Sequence, residues 1–251
     1  MAPLRAVIFD LGETLVTFQG DPAETHRQGS ERAYGLLWQR LALPLGLEEF
    51  TQRLLEIRRE LFEKTFRELH QYTAADAFRR LLADLGLEAS DALVREAVRR
   101  YFEPELEAYR PLPGAREVLE TLRQRGYRLA VLSNASDHEF IVDLVKARGF
   151  WPYLDLVETS ARVGKPKPHP LPFQAVLEAL GVAPAEAVMV GDTVAMDIAG
   201  AQRVGMKTVW IPRNERAPFP FRRDILQAEA RPDATIQSLQ DLLKLPLLEK
   251  A

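Results

Sequence analysis

The chain reads as an α/β protein: a doubly wound parallel sheet interrupted by an all-helical insert. Three observations carry that expectation. Short β-branched or leucine-rich runs recur along the sequence, helical patterns of period 3.6 separate them, and one long stretch carries helical patterns alone. Ala6 to Phe9 is the first run, apolar throughout as a strand buried on both faces should be, and it passes directly into Asp10. From about residue 18 to 110 the alternation stops. Glu31 to Leu41, Leu47 to Leu69, Ala74 to Leu85 and Asp91 to Tyr101 are charged, 3.6-period segments with no convincing strand among them. Pro111, Pro113 and Gly114 mark the return to the sheet, since proline ends helices and glycine accepts unusual dihedrals. Ala115 to Arg125 then carries Val118, Leu119 and Leu122 on one helical face and is closed by Gly126. Leu129 to Leu132 is the second strand. Leu171 to Leu180 is a helix with Phe173, Val176, Leu177 and Leu180 inward and Gly181 at its end. Ala187 to Val190 and Thr208 to Ile211 are further strands; Pro212 to Arg223 reads as an irregular surface loop with solvated basic residues. Ala234 to Ile236 and a short helix close the chain. Two domains are expected, 1–17 with 111–251 and an inserted 18–110, with a ligand crevice at the carboxyl ends of the strands.

Composition narrows the function classes. With 47% hydrophobic and 27% charged residues in 251, the chain has an ordinary globular make-up. Its 33 basic and 36 acidic residues give a net charge of -3, so no electrostatic case exists for nucleic acid or an anionic membrane as partner. The absence of cysteine excludes disulfides, thiolate metal sites and thiol nucleophiles. The apolar runs fall well short of the roughly 20 residues of a membrane helix. Ala6 to Phe9 runs into Asp10 without the apolar centre of a signal peptide, so a cytoplasmic location is expected. Monomer and homodimer stay open.

The chemistry-bearing residues follow the strands. An Asp just after a strand caps a helix in the plain reading and serves as a rigidly held nucleophile in the functional one. In VMVGDTVAMD, Asp192 follows another strand and Asp197 comes five positions later, so two further carboxylates are directed to the edge that holds Asp10. Carboxylates that close together repel, and a set of hard oxygen donors is what Mg²⁺ takes. A phosphate dianion would find donors in Ser133 and Asn134 and in the lysines of RVGKPKPHPLPF, Lys165 and Lys167. Singly, each of these types is common in turns and on surfaces.

In order, these segments resemble the four motifs of the haloacid dehalogenase-like superfamily, over nearly the whole chain. The resemblance implies a Rossmann-like catalytic core with a helical cap, and an Mg²⁺-dependent phosphohydrolase acting on a small phosphorylated metabolite. By it, Asp10 is the nucleophile that forms an aspartyl-phosphate and Lys167 steadies nucleophile and phosphate. Thr14, Ser133 and Asn134 bind the phosphate, and Asp10, Asp192, Asp197 and the Gly12 carbonyl hold Mg²⁺. Aligning Lys-Pro-x-Pro-x-x-Phe onto Lys167 to Phe173 selects Lys167 over Lys165.

One position departs from the family. Its phosphatases usually carry Asp-x-Asp-x-Thr, whereas this chain has Asp10-Leu11-Gly12-Glu13-Thr14, without the second acid that protonates the leaving alcohol. Such help is worth about 10² to 10⁴ in rate. Glu13, one residue on, is aimed elsewhere by a turn or helix. A leaving group of low pKa, such as a sugar-1-phosphate or a phosphoanhydride, would need protonation less. Rival readings remain: haloacid dehalogenases also lack the second Asp and resemble VLSNAS but work without metal, and phosphonatase-like enzymes need an imine-forming lysine in the cap. Lys64 is the only lysine of the insert and reads as a surface residue. A phosphate-binding or regulatory module is the third alternative. His26, His70, His138 and His169 lack metal-binding spacing and are assigned nothing. Tyr34, Trp38, Phe62, Phe66 and Tyr72 read chiefly as packing of the insert, and Arg27, Arg32 and Arg110 are among several arginines open to an anionic substrate.

Overall fold

The structure is a computed structural model that describes residues 3–213 and 230–248; of the loop expected at Pro212 to Arg223, only Pro212 and Arg213 lie among them. Two compact units emerge, Met1–Phe18 with Arg110–Ala251, and Gln19–Tyr109. In chain order the elements are β1 (Ala6–Phe9), β2 (Val16–Phe18), α1 (Pro22–Leu41), α2 (Leu47–Glu68), α3 (Ala74–Asp84), α4 (Asp91–Ala108) and β3 (Tyr109–Pro111). There follow α5 (Ala115–Gln124), β4 (Arg128–Ser133), α6 (His138–Ala147), β5 (Leu156–Thr159), α7 (Ser160–Val163), α8 (Pro170–Leu180) and β6 (Ala187–Gly191). A π-helical turn (Val194–Ile198), α9 (Ala199–Arg203), β7 (Lys207–Trp210), β8 (Ala234–Thr235) and short 3₁₀ turns complete the chain.

The first unit is built on a six-stranded sheet of order β5-β4-β1-β6-β7-β8, parallel at every pairing. Its central strands are buried on both faces, which explains their unbroken apolar sequence. Ala6 and Ile8 of β1 join Ala130, Leu132 and Met189 in one cluster that receives Phe173, Val176, Leu177 and Leu180 of α8. Val7, Phe9, Leu129 and Val131 point to the opposite face and are equally enclosed, as are Val118, Leu119 and Leu122 of α5. β5 and α6 add to the elements that the sequence predicts. β5 ends in Glu158 and Thr159, so its sequence lacks an apolar run, but α6 announces itself in retrospect. Asp137 accepts the Phe140 N–H at 2.7 Å, ahead of buried Phe140, Ile141, Leu144 and Val145.

The second unit is helical, but it is entered and left through strands: β2 and β3 pair as a two-stranded ribbon. Asp21 caps α1 through the N–H groups of Ala23 and Glu24, with Pro22 at the first helical position, so the helix begins well before Glu31. α4 continues through Pro104 to Ala108 instead of ending near Tyr101. The rings that fill this unit are Phe50, Phe78, Tyr101 and Phe102. Of the aromatic set expected to pack there, Trp38 is 51% exposed, whereas Tyr34, Phe62, Phe66 and Tyr72 are partly covered, Tyr34 meeting buried Phe50 edge-on at 5.4 Å and Phe62 meeting Phe66 at 5.0 Å. Beside Tyr101, the His26 ring is fixed by its partners. The Thr51 carbonyl can only accept, so Nε2 carries the proton (3.2 Å), and Nδ1 accepts from the Tyr101 hydroxyl (2.6 Å). Burial, helped by the nearby Arg58 charge, lowers the His26 pKa to about 4, so the ring is neutral. Among the described residues no helix is long and apolar enough to cross a membrane.

Candidate active site

Register creates the site. Phe9 of β1 lies level with Val131 of β4 and Val190 of β6, so the next positions, Asp10, Leu132 and Gly191, share the carboxyl edge of the three central strands. The Asp10 N–H donates to the Val190 carbonyl at 2.9 Å, which holds the Asp10 backbone to the sheet after β1 has ended. Asp10 is 9% exposed.

From β6 the chain turns through Asp192 into the π-helical turn, an uncommon geometry that often marks functional positions. That turn swings Asp197 back over Gly191. A Cβ on Gly191 would lie 2.4 Å from the Asp197 Cγ, so only glycine leaves room for this carboxylate. The Thr193 N–H donates to Asp197 Oδ2 at 3.0 Å. Asp192 is half-buried, its carbonyl accepting the Trp210 indole N–H at 2.9 Å and its Oδ1 the Thr193 hydroxyl at 3.2 Å.

Lys167 ties the carboxylates together. Its ammonium donates to Asp10 Oδ1 (2.7 Å), Asp197 Oδ1 (2.7 Å) and the Leu132 carbonyl (2.8 Å), using all three protons, and the residue is 1% exposed. Burial opposes the charged amine, but Asp10 and Asp197 together outweigh it and raise the Lys167 pKa. For Asp197 burial dominates and raises its pKa, Asp10 adding to the rise and Lys167 opposing it.

Asn134 has a different task from the one its type suggests. Its side-chain Oδ1 accepts the Lys167 N–H at 2.7 Å, and its Nδ2 donates to the Lys167 carbonyl at 3.0 Å and to the Met196 sulfur at 3.4 Å. Both amide protons are spent inside the protein, so this side chain clamps the Lys167 backbone and leaves no donor for phosphate. Nothing in the sequence signals a pairing of residues 33 positions apart. Ser133, the last residue of β4, is buried beside this clamp. Thr14 is fully buried, and its hydroxyl has no hydrogen-bond partner among the described residues.

Asp10, Asp192 and Asp197 each offer an oxygen within 4.8 Å of the others. A divalent cation with a preference for hard oxygen donors fits that donor set, as Mg²⁺ does.

A family model described as haloacid dehalogenase-like hydrolase matches residues 4–205. The chain belongs to that family. The hydrolase is 31% identical over 96% of its length to glyceraldehyde 3-phosphate phosphatase of Pyrococcus abyssi, covering 93% of that protein. It is 32% identical over 96% of its length to ribulose-1,5-bisphosphate 5-phosphatase of Halopiger xanaduensis, covering 98%. Among solved structures it resembles a 2-haloacid dehalogenase from Pseudomonas syringae pv. Tomato DC3000, with 27% identity, 96% of this chain and 97% of the other covered, and a TM-score of 0.63.

Proposed function

We propose that this hydrolase is an Mg²⁺-dependent phosphatase of small phosphorylated metabolites, working through an aspartyl-phosphate on Asp10. The observation that carries this reading is the buried Asp10–Lys167–Asp197 bridge, with Asp192 in the same cluster. Lys167 fixes one Asp10 oxygen and leaves the other to attack phosphorus in a constant direction. The Thr14 and Ser133 hydroxyls donate to the non-bridging phosphoryl oxygens, and Asn134 acts as a positioning residue by holding Lys167. Mg²⁺, held by Asp10, Asp192, Asp197 and the Gly12 carbonyl, would neutralise phosphate charge so that an anionic nucleophile can approach. The helical insert is assigned the choice of substrate, as the family's cap. The two relatives named as phosphatases support a small phosphorylated metabolite as substrate and do not bear on the leaving group.

The dehalogenase reading shares the fold but gives no use for three clustered carboxylates, because displacement of halide from carbon needs no cation. The phosphonatase-like reading needs an amine of depressed pKa. Lys64 has the reverse: the Tyr72 hydroxyl and the Glu68 carboxylate raise its pKa, and its ammonium lies 4.6 Å from the Tyr72 ring. The test is phosphate release from sugar phosphates, nucleotides, phosphoanhydrides and p-nitrophenyl phosphate, with Mg²⁺ or EDTA. Release that needs Mg²⁺ and vanishes in Asp10→Asn is expected; halide release from a 2-haloacid in EDTA would overturn the assignment.

A further inference from the structure

What stands beside Asp10 restricts the leaving group. Gly12, two residues past the nucleophile, does not have the positive φ that would demand glycine. A Cβ built on it meets nothing within 4 Å. Neither conformation nor crowding forbids an acid there, yet none is present. Glu13 cannot serve in its place. Its backbone is left-handed (φ 59°), and its carboxylate accepts the Thr17 hydroxyl at 3.0 and 3.1 Å and the Phe18 N–H at 3.3 Å. Its carbonyl is held by Arg213 Nε at 3.0 Å, so the residue is committed to the turn after β1. Lys167, whose ammonium touches Asp10, has all three protons engaged.

We infer, resting on the phosphatase reading, that this enzyme takes phosphate compounds whose leaving oxygen departs as a stabilised anion: acyl phosphates, anomeric sugar phosphates or phosphoanhydrides. In the first step an Asp10 carboxylate oxygen bonds to phosphorus, and the bond from phosphorus to the leaving oxygen breaks. Its electron pair stays on that oxygen, which later takes a proton from solvent. In the second, a water oxygen bonds to phosphorus, the pair of the cleaved phosphorus–Asp10 bond returns to the carboxylate, and the water's proton passes to solvent. The second step expels a carboxylate and needs no acid. An alkyl ester would have to expel an unprotonated alkoxide in the first.

The experiment measures kcat/KM with Mg²⁺ on compounds graded by leaving-group acidity, from acetyl phosphate and p-nitrophenyl phosphate to glycerol phosphate and ethyl phosphate. Wild type, Glu13→Gln and Gly12→Asp are compared. The wild type should favour the activated compounds by about 10² to 10⁴, the range that general-acid help supplies, and Glu13→Gln should keep that ratio. Gly12→Asp should shift the ratio towards alkyl esters by about 10². Wild-type turnover of alkyl esters as fast as of activated ones would overturn the inference alone, as would a Glu13→Gln variant that selectively loses alkyl-ester turnover. Silence towards every compound, the activated ones included, would remove the phosphatase reading and this inference with it.

Discussion

Replacing Lys167 with methionine keeps the apolar stem and removes the ammonium that joins Asp10, Asp197 and the Leu132 carbonyl at 2.7, 2.7 and 2.8 Å. Two carboxylates then face one another in a pocket where Asp197 is 1% exposed, with no cation between them. Breaking a buried ion pair from one side costs about 3 to 5 kcal/mol, because the remaining charge is neither hydrated nor paired. For a chain of this size each kcal/mol corresponds to about 2 to 4 °C in Tm, so a fall of about 6 to 20 °C is expected. The assay is calorimetric unfolding of full-length wild type and Lys167→Met at neutral pH in EDTA. Acidification should narrow the gap. In the variant, a carboxyl pKa raised in the folded state adds stability at low pH that is lost as pH rises. A Tm within about 2 °C of wild type at neutral pH would mean that the bridge contributes little, and the account of how Asp10 is held would fail.

Asn134→Ala releases the backbone of Lys167 and should lower kcat by about 10²-fold with little change in KM, the pattern of lost positioning; an unchanged kcat would leave the clamp without a role. Gly191→Ala places a Cβ 2.4 Å from Asp197 Cγ and should cost about 1 to 3 kcal/mol in denaturant unfolding, with activity lost as Asp197 is displaced. In the helical insert, His26 has a folded pKa of about 4 against an ordinary 6.5. The unfolded chain therefore binds more protons between those values, and stability falls as pH drops through that window, by at most about 3 kcal/mol. His26→Gln should flatten that acid limb in unfolding measured against pH; an identical limb in the variant would refute it.

The parallel sheet was legible because strands buried on both faces cannot hide their composition: Ala6 to Phe9, Leu129 to Leu132 and Ala187 to Val190 are apolar at every position. β5 has no such run because it stands at the edge of the sheet and its last two residues are Glu158 and Thr159, the Glu158 carboxylate being held by Arg162 at 2.6 and 2.8 Å. The start of α1 is written in Asp21-Pro22, a capping signal confined to two residues and separate from the periodicity that begins at Glu31. The residue types of the site could be read from the ends of strands, but their connections could not. The Asn134–Lys167 clamp and the support of Asp192 by Trp210 join residues far apart in sequence, and only the folded chain brings them together. Gly191 is similar: its need for space comes from Asp197, six positions later, folding back through a π-helical turn.

The most direct test of the central claim is to trap the intermediate. Wild-type enzyme turning over an activated phosphate with Mg²⁺ would be quenched in acid and reduced with borohydride, which converts an acyl phosphate to the alcohol, and the peptides weighed. The account predicts homoserine in place of Asp10, dependent on substrate and Mg²⁺ and confined to that residue. Phosphate release that continues at full rate while Asp10 stays unmodified, or reduction at another carboxylate, would contradict it.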